Sequence, residues 1–138
     1  MRVRILGCSG GIGGRHLGTT AILVDDDIGS LPLLIDSVAD LRTKPVIVHA
    51  LPETLDIIGR HIFNWEIWPD FSAIPSHERP AMQYLPLAVG ESVRLGARTV
   101  TALPARHTVP AVGYQLDSGA GSLVFTGDTT VNPAFWPL

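Results

Sequence analysis

Apolar residues along this chain fall into short runs of two spacings, and the spacings predict where strands and helices lie. Near the N-terminus "VRILG" is apolar and β-branched, which suits a first strand, and it runs directly into the glycine-rich stretch "GCSGGIGG". "TTAILVDDD" predicts a second strand that ends in three acids. Over residues 31–41 the apolar positions Leu31, Leu34, Ile35, Val38 and Leu41 recur at three- and four-residue steps, the period of one face of a helix. "PVIVHA" then predicts a buried strand opened by a proline. In "LPETLDIIGRHIF", Pro52 and Glu53 suit a first helical turn, and Leu55, Ile58 and Ile62 share one face, so a second helix is expected.

The pattern changes after Phe63. "NWEIWPDFSAIPSHERP", residues 64–80, carries two tryptophans and three prolines and predicts an irregular excursion. From Met82 onward short apolar runs alternate with glycine and proline, giving the strands "YLPLAV", "SVRL", "TVTALPA", "AVGYQL" and "SLVFTG", with "DSGAG" as a hairpin between the last two. Strands, helices and then a strand meander fit an α/β or α+β sandwich. A length of 138 residues suits one domain over residues 1–138 and is short for two.

Composition narrows the function classes. The apolar share of 46% and charged share of 17% are those of a globular chain rather than a disordered one. A formal net charge of -3 offers no basic footprint, so nucleic acid is not an expected partner. Cys8 is the only cysteine, which excludes an intrachain disulfide and points to a reducing compartment, a bacterial-type cytoplasm being the simplest expectation. The apolar run in "MRVRILGCSGG" is too short for a signal peptide. No window approaches the twenty or so apolar residues of a membrane helix, so no membrane association is expected.

The glycine-rich stretch invites a dinucleotide-binding reading, which its surroundings reject. Only "RHLGTT" separates Gly14 from the next apolar strand, whereas a parallel crossover takes at least about ten to twelve residues. Lys44, the one lysine, has no tyrosine four residues before it, so the pair expected of a short-chain dehydrogenase is missing. A tight hairpin-like connection with glycines at positive φ is the preferred reading. Cys8 within it has no identifiable neighbour that would activate the thiol, and His16 reads as a surface loop histidine.

Candidate chemistry gathers later. His107 leads the strand of "HTVPAVGYQL", and Asp128 follows the strand of "LVFTGDTT", an arrangement that can bring two metal ligands to one sheet edge. Taken with "VRILGCSGGIGG" and "PVIVHALPETLDIIGRHIFNWEIWPDF", these stretches resemble the metallo-β-lactamase-fold hydrolases over nearly the whole chain. The class II cyclic-nucleotide phosphodiesterase-like branch is the nearest, and ribonuclease Z is a more distant relative. The resemblance implies a four-layer αβ/βα sandwich with a dinuclear metal site at one edge. His107 matches the histidine that ligates one metal, and Asp128 matches the aspartate that bridges both. Imidazole and carboxylate suit zinc or manganese. Two such ions about 3.5 to 4 Å apart hold a bridging hydroxide for in-line attack on phosphorus. The resemblance thus implies a phosphodiesterase with a small-molecule phosphodiester substrate, while leaving a cyclic nucleotide, another phosphodiester, an ester and a lactam undistinguished. Gly127 is read as making room beside the site, and Thr129 as a hydroxyl supporting the ligands.

The chain also departs from that family. Its histidine-x-histidine-x-aspartate-histidine signature is absent: the five histidines, at 16, 49, 61, 77 and 107, all stand alone. A C-terminal histidine ligand has no counterpart before the closing "NPAFWPL". "DDDIGSLPLLID" joins a strand end to a helix start with hardly a turn, which places the missing piece between Asp27 and Ile28; a break after Asp36 is the alternative. A segment left out of the sequence is favoured over a natural loss, because the loss would strip a strand from the sheet. A natural loss instead makes the chain a shortened, non-catalytic member that serves in binding or dimerisation. His49 is expected as a packed or hydrogen-bonded strand residue, His61 in a helix and His77 in a polar loop, none of them ligands. Trp65, Trp68 and Phe71 are read as capping a core or an interface, which leaves a homodimer open, in preference to walling a substrate base.

Overall fold

The computed structural model describes residues 30–135. The strands expected in "VRILG" and "TTAILVDDD", the glycine-rich stretch with Cys8, His16 and the junction of Asp27 with Ile28 lie outside the described residues.

Helix α1 spans Ser30–Ala39. Its predicted face is the buried one at Leu31 and Ile35, with Leu34 and Val38 half-buried. Leu41, expected on that face, is 82% exposed, because the helix stops short of it and a tight turn follows in which the Leu41 N–H donates to Val38 O at 3.0 Å. Strand β1, Val46–Ala50, follows Pro45 and leads into helix α2, Pro52–His61, with proline in its first turn and Leu55 and Ile58 buried. Beyond α2 the chain keeps the irregular course predicted for it, with two additions: the two-residue strands β2, Pro75–Ser76, and β3, Arg79–Pro80, pair antiparallel.

Strand β4, Met82–Pro86, returns beside β1 and pairs with it in parallel, Val46 opposite Met82 and Ala50 opposite Pro86. It starts two residues before the predicted "YLPLAV" and ends at Pro86, whose missing N–H and fixed φ make it a poor continuation of a ladder. β1 is less buried than its apolar sequence suggests. With β4 as its partner among the described residues, Val46 and Val48 face the core while Ile47 is 38% exposed. That core joins α1, α2 and the returning segment through Leu31, Ile35, Ile58, Phe63, Phe71 and Met82. The rings of Phe63 and Phe71 meet edge to face, with centroids 5.7 Å apart. The expected aromatic cap is therefore real for Phe71 and for Trp68, which packs against the cluster, but Trp65 is 63% exposed.

The remaining strands form one antiparallel meander in spatial order: β5, Ser92–Leu95; β6, Arg98–Pro104; β7, Val112–Asp117; β8, Ser122–Phe125. Register puts Val100 opposite Leu116 and Ala102 opposite Tyr114 on one face, while Thr101 and Gln115 pair on the other. This is the period-two alternation that fixes which face a strand buries. The "DSGAG" hairpin forms as predicted: Asp117 Oδ1 accepts the Gly119 N–H at 2.7 Å, and Ser118 donates its hydroxyl to Gly121 O at 2.8 Å. A short 3₁₀ turn, Pro133–Phe135, packs on β6 and buries Phe135. No helix among the described residues is long and apolar enough to cross a membrane.

Candidate functional site

Strands β6 and β8 flank β7, and each runs antiparallel to it, so β6 and β8 point the same way. Their C-terminal ends therefore leave the sheet at one edge. The segment after β6 carries His107 and the segment after β8 carries Asp128, which is how residues 21 positions apart meet: His107 Nε2 and Asp128 Oδ2 are 3.0 Å from each other. Strand direction thus delivers the two residues singled out from the sequence to the same end of the sheet.

Hydrogen bonds hold the two segments side by side. The Arg106 N–H donates to Thr129 Oγ1 at 2.9 Å, and the Thr130 N–H donates to Arg106 O at 2.9 Å. Farther along, Asn132 Nδ2 donates to Pro104 O at 2.8 Å. Thr129 was expected as a hydroxyl supporting the ligands. Its hydroxyl bonds the chain beside them, accepting from Arg106 and donating to Thr130 O at 3.1 Å. Gly127 sits at φ 61°, a left-handed conformation that side chains with a Cβ rarely adopt, so its role is to turn the chain out of β8 and aim Asp128 rather than only to leave space. Asn132 escaped the sequence reading. Its signal was the "NP" pair: Asn132 also opens the 3₁₀ turn, accepting the Ala134 N–H on Oδ1 at 3.3 Å.

The pair is open to solvent, the His107 side chain 30% and the Asp128 side chain 72% exposed. Even as an ion pair, a contact in such a setting would contribute only about 0–1 kcal/mol, so the fold does not depend on it. The other ring nitrogen, Nδ1, lies 3.4 Å from the Val109 N–H, a long contact in which it can only accept. That contact favours the tautomer in which Nε2 carries the proton and donates it to Asp128.

The arrangement also fits a cation. Two ligand atoms each about 2.0–2.2 Å from a metal and subtending about 90–109° are about 3.0–3.4 Å apart. The observed 3.0 Å separation of Nε2 and Oδ2 lies at the short end of that span. Binding there would require Nε2 to give up its proton to solvent or to Nδ1. Among the described residues no group of three or more His, Cys, Asp or Glu converges, so the pair stands there without a third such donor. The other described histidines lie on other elements. His61 ends α2, His77 is exposed between β2 and β3, and His49 packs within β1. Among the described residues, His49 Nδ1 is buried without a hydrogen-bond partner. A cavity of about 370 Å³ lies alongside on the segment after β8, lined by Thr126, Thr129, Asn132 and Phe135 among others, with neither His107 nor Asp128 among its described lining residues.

No family model and no curated protein matches this chain. Solved structures do. Unliganded yeast PDE1 matches with a TM-score of 0.64 at 20% identity, over 80% of this chain and 34% of that one. The metallo-beta-lactamase fold protein YhfI from Bacillus subtilis matches with a TM-score of 0.55 at 15% identity, over 80% of this chain and 40% of that one. The fold is α+β and metallo-β-lactamase-like, and the chain spans 34% and 40% of the two structures, a part of that architecture. At these identities the likeness establishes the fold and nothing finer.

Proposed function

We propose that this chain belongs to a metal-dependent hydrolase that cleaves phosphodiesters, with His107 and Asp128 supplying ligands at one edge of its site. The observation that carries the reading is the 3.0 Å convergence of an imidazole nitrogen and a carboxylate oxygen from two strand ends of a metallo-β-lactamase-like sheet. Yeast PDE1, whose name is that of a phosphodiesterase, supports the choice of substrate class. Bound zinc or manganese supplies Lewis-acid polarisation of a phosphoryl oxygen and a water acidic enough to attack near neutral pH. His107 holds its ring at the sheet edge and presents Nε2. Asp128 turns one oxygen toward His107, and its largely exposed carboxylate would be open to a cation. The open side of the pair gives a phosphodiester access.

A second reading, a non-catalytic member that binds or dimerises, is favoured by the pair having no third donor among the described residues. Hydrolysis separates the two. The protein is purified, its intact mass and metal content are measured, and a cyclic nucleotide and a generic aryl phosphodiester are offered with added manganese or zinc. The hydrolase reading expects turnover that Asp128→Asn abolishes while the circular dichroism spectrum stays that of the parent. A mass near 14.8 kDa with no bound metal and no turnover would sink it in favour of the second.

A further inference from the structure

An exposed His–Asp pair cannot set its own geometry. With Asp128 72% and His107 30% exposed, the attraction between them is screened by water and offsets little of the entropy of two mobile segments. Yet a cation site needs its donors placed within a few tenths of an ångström. Something else has to hold the distance, and the contacts beside the pair are placed to do it. Arg106 immediately precedes His107 and Thr129 immediately follows Asp128, and these two neighbours are tied by the Arg106 N–H to Thr129 Oγ1 bond at 2.9 Å. The Thr130 N–H to Arg106 O bond at 2.9 Å closes the same juncture from the other side. One turn farther out, Asn132 Nδ2 holds Pro104 O, the last residue of β6, at 2.8 Å. Two of these three bonds depend on side chains, and those side chains make their hydrogen bonds with backbone groups rather than with the pair.

We propose that Thr129 and Asn132 are positioning residues, which clasp the segment after β6 to the segment after β8 and thereby fix the spacing of His107 Nε2 and Asp128 Oδ2. The proposal rests on the reading of that pair as ligands only for its functional consequence. The clasp itself acts in the metal-free chain. It predicts a division of roles within "GDTT": Asp128 donates, and Thr129 braces. It also assigns Asn132 a role that its cap of the 3₁₀ turn does not require, because the cap uses Oδ1 and the clasp uses Nδ2.

Thr129→Val keeps the shape of threonine and removes the oxygen that accepts from Arg106, whereas Thr129→Ser keeps the oxygen. Asn132→Asp keeps the acceptor used in the cap and removes the donor. Long-range ¹H–¹⁵N correlation spectra of the metal-free protein report the tautomer of His107 and its bond to Asp128. The clasp predicts that the Nε2–H signal of His107 broadens or loses its hydrogen-bonded shift in Thr129→Val and Asn132→Asp, and returns in Thr129→Ser, with amide spectra elsewhere unchanged. Zinc affinity should fall about tenfold in the first two variants, in Asn132→Asp despite an added charge that by itself attracts a cation, and recover in Thr129→Ser. Metal-free spectra of Thr129→Val and Asn132→Asp that match the parent at His107 overturn the clasp whatever zinc does. Zinc that leaves His107 of the parent unmoved overturns instead the ligand reading, and the metal-free spectra still decide the clasp.

Discussion

Gly113 has no room for a methyl group. A Cβ built there would lie 2.7 Å from Phe135 Cε2 and 2.8 Å from the Phe125 carbonyl oxygen, a backbone atom that cannot rotate away. Gly113→Ala should therefore push the 3₁₀ turn off β6 and cost about 1–3 kcal/mol in urea denaturation, against a small effect for alanine at an open glycine. Tyr84 behaves differently. Burial, with a smaller contribution from the Asp70 carboxylate, pushes its phenol up from the ordinary 10 to about 12, and its hydroxyl lacks a partner among the described residues. The folded state thus prefers the neutral phenol, and the stability this contributes is complete below pH 10 and is lost as pH rises from 10 through about 12. Tyr84→Phe should remove that alkaline loss while leaving stability at pH 7 equal or higher, read by denaturation at both pH values; an unchanged alkaline slope would count against it. Residue types such as His107 and Asp128 were legible in the sequence because their chemistry is local to the letter. Asn132 and the mode of action of Thr129 were not, since each depends on a partner more than twenty positions away.

At the scale of elements, periodicity carried the reading where an element buries one face. The three- and four-residue steps located α1 and α2, and Leu55 and Ile58 lie buried where that period put them. It overreached at Leu41, because a spacing continues on paper past the point where the backbone turns. It also overstated β1: a run of apolar residues cannot say whether both faces of a strand are covered, and Ile47 shows that one is not. The two-residue pairing of β2 with β3 leaves no period to detect. Ile35 tests the packing of α1 against the rest. Its side chain is 0% exposed within the cluster formed with Ile58, Phe63 and Met82, so Ile35→Ala should cost about 2–5 kcal/mol, while Leu33→Ala, at a residue 51% exposed, should cost far less. Equal costs would mean that α1 is not docked as described.

For the whole molecule, two arrangements matter: a parallel pair, β1 with β4, backed by helices, and a four-stranded meander whose two like-directed strands deliver His107 and Asp128 to one edge. The order of strands, helices and meander foretold the class, but the sequence does not state that β6 and β8 are separated by a single strand, and that adjacency is what makes the site. The chain covers 34% and 40% of the structures it matches, so it is compared with a part of that architecture only. Zinc titration of the purified protein, followed at the ring nitrogens of His107, asks whether this pair holds a cation. If it does, zinc shifts Nε2 and abolishes the proton it shares with Asp128, and Asp128→Asn weakens binding by more than about tenfold without disturbing the fold. A His107 ring that ignores zinc, or an Asp128→Asn protein that binds it as tightly as the parent, would rule the pair out as ligands.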